Sequence, residues 1–420
     1  MSDAEDLSAR PPQFHFESTP GQPEAVLRPR RAQPFFGRHP WVFAGAIDRI
    51  RTRDGKPADP GTQLRLVTHD GHFIAWGLFN PYSRISLRLY SWKESQPLTP
   101  ELWHSLVQNA VDLRKRLFDL TLPTTGCRLI FSEADFLSGL TVDNYGGWLL
   151  VQFTSLALYH HREIIIQAIQ NCFQPRGIWL RTEKGIRESE GLEVVDGLLY
   201  GPEPPQPVHI CEHNLTWSVD VQRGQKTGCY LDQRDNRLAA SRYMKNASVL
   251  DAFCFSGGFG ITALKAGNAA SVVGVDSSES ALELARNNAL LNNVADRCEW
   301  IHDDVRNTLD QFAAQDRLFD AIILDPPRMA RTRSGLDRAL QGYVRLNESA
   351  LRILKPGGIL VTCSCSGLVS RNDFAEVVAE TARRSGRNIQ ILEHHGHPPD
   401  HPVSATCAET EYLKVLICRA

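Results

Sequence analysis

The 420-residue sequence has no apolar run of the length a bilayer-spanning helix needs, so no membrane segment is expected. Its first residues, Met1-Ser2-Asp3-Ala4-Glu5-Asp6, are acidic and polar, the opposite of the basic region that opens a secretory signal. The ten cysteines form neither a CxxC pair nor a disulfide-framework spacing, which points to reduced thiols in a cytoplasmic protein. A basic excess is also missing: 46 Lys+Arg stand against 48 Asp+Glu, a net charge of -2. Any nucleic-acid partner must therefore be met by a local basic surface. No internal repeat is visible. The remaining composition, 42% hydrophobic and 22% charged, is that of a globular chain, and its length calls for two or three domains.

Residues 1 to about 24 are rich in Pro, Ser, Asp and Glu and read as a flexible tail. Up to about Trp92, short alternating runs such as Gln63-Leu64-Arg65-Leu66-Val67 are separated by turn signals at Asp70-Gly71 and Asn80-Pro81, predicting a small β-rich domain. A helix is predicted from Leu98 to about Phe118 and another around 161–171, with strands at Trp148–Phe153 and Gly177–Arg181. The Pro-rich run 201–207 reads as a linker. After Ser248 the pattern becomes regular βα alternation. Strands are predicted at Val249–Phe253, Val272–Asp276, Trp300–His302, Ala321–Asp325 and Ile359–Cys363, and helices at Ser280–Leu291 and Leu336–Leu354. This is the pattern of an α/β, doubly wound parallel sheet.

The first strand of that sheet runs into Asp251-Ala252-Phe253-Cys254-Phe255-Ser256-Gly257-Gly258. Glycines such as Gly257 and Gly258 at a strand-to-helix turn let the backbone approach a ligand. The second strand ends in Asp276, placed to bond a ribose diol. The turn lacks GxGxxG spacing, and Asp251 stands where a diphosphate would be repelled and a cationic methionine group tolerated. Both details favour S-adenosyl-L-methionine over a dinucleotide. Asp303-Asp304 offers a contact to an adenine amino group, against the plainer reading of an acid pair at a helix start.

The chemistry gathers at two further strand ends. Asp325-Pro326-Pro327 follows one, and Thr362-Cys363-Ser364-Cys365-Ser366 follows the next. C5 of cytosine does not attack a methyl sulfonium unaided. A thiolate adding at C6 makes C5 enamine-like, and an acid at the ring's N3 or N4 edge stabilises the developing charge. Asp325 can supply the acid. Cys363 and Cys365 share a strand face, so periodicity leaves both eligible as the thiol, and both also read as small residues packed at a strand end. Arg328, Arg331 and Arg333 follow on a loop lip that can grip phosphates or simply be solvated. The histidines at 394, 395, 397 and 401 crowd a Pro-rich loop that would splay metal ligands, and no metal site is expected.

Taken together, Gly224-Gln225-Lys226-Thr227-Gly228, Asp232-Gln233-Arg234, the 253–259 turn, Asp325-Pro326-Pro327 and Ser364-Cys365-Ser366-Gly367 resemble the PUA-containing 23S ribosomal RNA cytosine-C5 methyltransferases. Arg38-His39-Pro40-Trp41-Val42-Phe43, Asp400-His401-Pro402 and Glu411-Tyr412-Leu413-Lys414 are similar to further motifs of that family. The resemblance implies a PUA-like β-barrel over 25–95 that binds RNA. It also implies a small α+β domain over 96–205 and a Rossmann-like class I methyltransferase domain over 206–420. Carried over residue by residue, it makes Cys365 the nucleophile and Asp325 the acid at the target base, beside the cofactor residues Asp251, Phe253, Gly257, Gly258, Asp276, Asp304 and Asp325. The expected partner is 23S ribosomal RNA, naked or in a pre-ribosomal particle, with a homodimer left open. Arg328 follows Pro327 where related RNA enzymes carry a second cysteine, so another group or water must assist product release. The competing readings are a guanine methyltransferase, which needs no thiol, a catalytically silent ribosome assembly factor, and more distantly an NAD-dependent oxidoreductase.

Overall fold

The computed structural model describes residues 12–182, 184–193, 195–222, 229–330 and 332–420. Its first unit is a seven-stranded sheet with Phe16–Ser18 at one edge and Trp41–Phe43 at the other. The flexible tail read to residue 24 therefore needs correction. Phe16–Ser18 pairs in parallel with residues 50–52, and Phe14 meets Phe79 edge-on at 5.2 Å between ring centres. Two phenylalanines in an otherwise polar stretch bury enough apolar surface to hold it on the sheet.

The next unit is a five-stranded sheet of Gly126–Phe131, Leu140–Tyr145, Trp148–Phe153, Gly177–Leu180 and Gly197–Tyr200. Helices Pro100–Leu117 and Arg162–Phe173 cover it, contributing Trp103, Val107, Val111, Ile165 and Ile169 to a shared core. Past the Pro-rich run, Val208–Glu212 and Leu215–Val219 form a hairpin whose turn residues, His213 and Asn214, both have positive φ (51° and 63°).

The third unit carries the chemistry. Its strands are β1 (Ser248–Ala252), β2 (Ser271–Asp276), β3 (Cys298–His302), β4 (Phe319–Leu324), β5 (Leu354–Ser364), β6 (Gln390–His395) and β7 (Lys414–Arg419). The order is β3-β2-β1-β4-β5-β7-β6. The first five are parallel, whereas β7 runs antiparallel to both β5 and β6. The helices are α1 (Arg234–Ser241), α2 (Gly258–Lys265), α3 (Glu279–Leu291), α4 (Val305–Ala314), α5 (Leu336–Arg352) and α6 (Arg371–Ser385). Central strands β1 and β4 are apolar nearly throughout because helices cover both faces. Local signals start the helices: Ser278 caps α3, and Ser370 with Asp373 forms a capping box on α6. No helix of the described residues is long and apolar enough to cross a membrane.

Polar clamps join the units. Arg114, fully buried, donates to Asp135 Oδ1 (2.7 Å) and to the Asp400 carbonyl (2.7 Å). The Asp400 carboxylate accepts from Arg234 Nη2 (2.8 Å) and from the Arg128 amide (3.0 Å). Although burial alone would raise its pKa, the His401 and Arg234 contacts hold Asp400 well below the usual carboxylate range. The hairpin is fastened to α3 by Asn288 and Asn292, whose side-chain oxygens accept the Ser218 and Thr216 amides.

Candidate active site

Parallel strands place their carboxyl ends along one rim, and here that rim carries Asp276 (β2), Asp303 after β3, Asp325 after β4 and Cys365 after β5. The turn after β1 is held in a sparsely populated conformation: Phe253, Phe255 and Gly257 all have positive φ, at 63°, 47° and 78°. A side chain on Gly257 would sit 2.7 Å from the Trp300 ring, so this position takes only glycine. Three contacts fix the turn. Asp276 Oδ2 accepts the Phe255 amide at 2.9 Å, Asp251 Oδ2 accepts the Gly260 amide at 2.8 Å, and the Tyr230 ring meets Phe255 edge-on at 5.0 Å.

These contacts sort the expected cofactor residues. Asp276 is half-buried, with its other oxygen on the Ser278 amide (2.9 Å); a carboxylate has lone pairs for two further hydroxyl donors. Phe253 and Gly258 flank the same turn, with Gly258 packed on Arg237. Asp251 differs from expectation: its carboxyl is buried behind the turn on the Gly260 amide, not open to the crevice. Burial, with Asp325 and Asp276 nearby, pushes its pKa up to about 7. Asp304 differs as well. Its Oδ1 accepts the Arg306 and Asn307 amides and caps α4, the plainer of the two readings of the acid pair. Asp303 stands closer to the rim, its amide on the Asp276 carbonyl at 3.3 Å. The donor set fits S-adenosylmethionine: a positive-φ turn for close backbone approach, a carboxylate for a diol, and an acidic rim for a cationic methionine group.

The two cysteines that periodicity left tied are separated by where β5 ends. Cys363 lies within the strand opposite Val415 and is 0% exposed; burial first, then Asp325, pushes its thiol well above the ordinary range. Cys365 lies one residue past the strand end, half-buried, and its Sγ approaches the Pro326 carbonyl at 3.8 Å. The thiol and the Asp-Pro-Pro motif thus meet. The serines on either side explain the Ser-Cys-Ser register. Ser364 Oγ donates to the Tyr343 hydroxyl on α5 (3.0 Å), which also bonds Ser366 Oγ (3.2 Å), and Ser366 Oγ accepts the Ala330 amide (3.2 Å). Asp325 is steadied by Gln233, whose Nε2 donates to Oδ2 at 3.0 Å, while Asn236 holds Gln233 Oε1 at 2.7 Å.

Sequence reasoning assigns no individual role to Gln233, Tyr343 or Lys414. Gln233 lies in the polar 223–234 segment, which reads as lining the cofactor mouth or as a capped helix start, and Lys414 lies in the Glu411-Tyr412-Leu413-Lys414 motif; Tyr343 reads as an ordinary core aromatic of an amphipathic helix. Of the arginine lip, Arg328 is exposed and turns its Nε onto the Ala330 carbonyl (3.0 Å), Arg333 is exposed on a short helical turn, and Arg331 lies outside the described residues. The 223–228 segment with its Gly224-Gln225-Lys226-Thr227-Gly228 motif lies outside them too.

Two of the crowded histidines serve the fold. His397 Nε2 accepts the Tyr412 and Leu413 amides (3.2 and 3.0 Å), and burial pulls its pKa down to about 4. His401 is buried against Asp400. A different group, His39, Cys407 and Glu409, does gather ligand-type atoms between the first and third units. The Trp41 amide donates to His39 Nδ1 (3.3 Å), which puts the ring proton on Nε2 and aims it at Glu409. A ligating nitrogen needs that lone pair free, so this arrangement is a hydrogen-bonded contact and not a metal cradle.

Comparisons with known proteins agree with this geometry. A PUA-like domain model matches residues 25–92, and an S-adenosylmethionine-dependent methyltransferase model matches residues 192–419. A Salmonella arizonae protein named ribosomal RNA large subunit methyltransferase I is 38% identical over 405 residues, covering 96% of this chain and 99% of its own. Its namesake from Tolumonas auensis is 40% identical over 396 residues, covering 94% and 98%. Among solved structures, a methyltransferase candidate complexed with SAH matches with a TM-score of 0.81 at 20% identity, over 94% of this chain and 100% of that one. A Streptococcus mutans relative described as SAM-dependent gives 0.80 at the same identity and coverage. At that identity the likeness concerns the fold, and the three units of this chain recur together in it.

Proposed function

The chain belongs to the S-adenosylmethionine-dependent methyltransferase family that includes the proteins named ribosomal RNA large subunit methyltransferase I, and on that premise we propose that it forms 5-methylcytosine in large-subunit (23S) ribosomal RNA through a Cys365 adduct. The observation that carries the reading is the meeting of a half-buried thiol with the Asp-Pro-Pro motif at the carboxyl ends of adjacent strands. A methyltransferase acting on a ring nitrogen has no use for such a thiol.

In this reading the Cys365 thiolate gives its electron pair to C6 of the target cytosine. The C5=C6 π pair moves toward the ring's N3 edge, where Asp325 in its protonated form, oriented by Gln233 on Oδ2, donates a hydrogen bond from its other oxygen and stabilises the developing charge. S-adenosylmethionine, when bound, would supply an electrophilic methyl group for C5 and leave as S-adenosylhomocysteine; Asp276 would hold its ribose and the 253–258 turn would receive its methionine end. Loss of the C5 proton to water or a neighbouring group restores the double bond and expels the thiolate. With Arg328 after Pro327, this loop offers no second thiol for that step. The seven-stranded N-terminal unit and the exposed Arg328 and Arg333 are the RNA-facing elements, Arg331 being assigned to the same lip from sequence alone. The division into 25–95, 96–205 and 206–420, and a cytoplasmic site of action, are parts of the same proposal.

Mass mapping of large-subunit ribosomal RNA from cells with and without this protein tests it. One 5-methylcytosine is expected to disappear and to return with the wild-type gene but not with Cys365→Ala. Restoration by Cys365→Ala, or loss of a methyl group on guanine instead, would overturn the proposal.

A further inference from the structure

The Cys365 thiol approaches the Pro326 carbonyl oxygen at 3.8 Å, beside the Asp325-Pro326-Pro327 motif, and only the thiolate form of a cysteine adds to C6. The topology supplies a cation. Because β7 is antiparallel to β5, its amino end reaches the catalytic rim, and Lys414 pairs directly with Ser364, the residue before Cys365.

Lys414 is 3% exposed. Its ammonium donates to the Ser366 carbonyl at 2.6 Å and to the Tyr412 carbonyl at 2.9 Å. Among the described residues no carboxylate lies within ion-pair distance of it. A buried ammonium without a carboxylate partner is uncommon and calls for a compensating anion. Two of its three N–H groups are used on carbonyls, one of which belongs to the residue just after Cys365.

We propose that Lys414 is the positioning cation of Cys365, holding the 364–366 turn through the Ser366 carbonyl and stabilising the thiolate by its charge. The inference rests on Cys365 being the nucleophile. Every group around the pair enters the balance. Burial is the largest influence on Lys414 and draws its pKa down to about 8. Cys365, Glu411 and Asp373 act to keep it charged, whereas Arg371, itself paired with Glu411 at 2.6 Å, acts against that. From the other side, Tyr343 and Cys363 face Cys365 as neutral buried groups. The pairing is mutual: each charge lowers the cost of burying the other. Addition to C6 consumes the thiolate and leaves the ammonium without its anion. Return of the thiolate at the end of the cycle is favoured for the same reason.

The test is the pH dependence of iodoacetamide alkylation of Cys365 in the full-length protein, without RNA or cofactor, followed by fragment-ion mass so that Cys363 and Cys365 are distinguished. In the wild type the ionisation midpoint is expected below the ordinary thiol value of about 8.5. Lys414→Gln keeps an N–H donor for the Ser366 carbonyl but removes the charge. It is expected to raise the midpoint by about one to three pH units, which is about tenfold slower labelling at neutral pH for each unit. Lys414→Arg is expected to keep it low. A wild-type midpoint at or above the ordinary thiol value overturns the proposal whether or not the variants fold, as does an unchanged midpoint in Lys414→Gln. Labelling needs no methyl transfer, so a failure of the cytosine reading would leave this result standing and is read separately.

Discussion

Replacing Tyr343 by Phe removes one oxygen and little else. The ring stays in the core against Phe374, edge-on with centres 5.5 Å apart, so no cavity opens. What is lost is the hydroxyl on which Ser364 and Ser366 both converge, at 3.0 and 3.2 Å. Both serines are fully buried, so neither can turn to water for a replacement. Each serine keeps a backbone donor, Ser366 Oγ the Ala330 amide (3.2 Å) and Ser364 Oγ the Ser366 amide (3.4 Å), so the loss is one hydrogen bond apiece at about 0.5–1.5 kcal/mol, or about 1–3 kcal/mol for the two. That is a sizeable part of ordinary domain stability of about 5–15 kcal/mol but short of unfolding. The larger effect falls on the reaction, because these serines fix the turn that aims Cys365. A displacement of about 1 Å is enough to lower kcat by about 10²-fold. Urea unfolding and single-turnover methylation of large-subunit RNA measure the two effects. Ser364→Ala and Ser366→Ala in the Tyr343→Phe background should add less than their separate costs, since all three act through one node. Tyr343→Phe with kcat within about twofold of wild type would refute the claim that the serines place the thiol.

Asp400→Asn strips the charge that compensates Arg234, which is only 5% exposed. Breaking a buried pair in this way costs about 3–5 kcal/mol, to be seen as a lower urea midpoint; an unchanged midpoint would mean that the pair contributes nothing. His397 gives a pH signature. Burial lowers its folded pKa to about 4 from an ordinary 6.5, so between those values the unfolded chain binds the proton and the folded one does not. Stability should therefore be full above about pH 6.5, fall as the pH drops toward about 4, and lose up to roughly 3 kcal/mol from this group. His397→Gln can still accept the Tyr412 and Leu413 amides through its oxygen and should flatten that slope; an equal slope in the variant would assign it elsewhere.

The sheet was legible because parallel strands buried on both faces read as apolar runs between amphipathic helices, and β1 to β5 lie within a few residues of where the pattern puts them. The catalytic rim was legible in part. Asp276, Asp325 and Cys365 stand at strand ends, but the choice between Cys363 and Cys365 depended on the strand stopping at Ser364, and alternation carries no such information. Asp251 looks like a cofactor ligand in one dimension, and only the path of the backbone shows it behind the turn; for Asp304 the sequence already offers a helix start beside the adenine contact, and the backbone puts it on the cap. Lys414 lies in a legible motif, but its place at the rim was hidden for a topological reason. The end of a chain segment that faces a site depends on strand direction, and local sequence does not say that β7 is reversed. Asp400 and Arg234 lie 166 residues apart in sequence, beyond the reach of any periodicity.

The central claim is a covalent bond between Cys365 and C6 of a cytosine in RNA. Large-subunit RNA carrying 5-fluorocytidine cannot release the C5 substituent as a proton, so the adduct should accumulate after methyl transfer. Digestion and mass spectrometry of that complex are expected to show a methylated fluorocytidine attached to the peptide at Cys365, and none with Cys365→Ala. An adduct at Cys363, or no cofactor-dependent adduct with an otherwise active enzyme, would contradict the account.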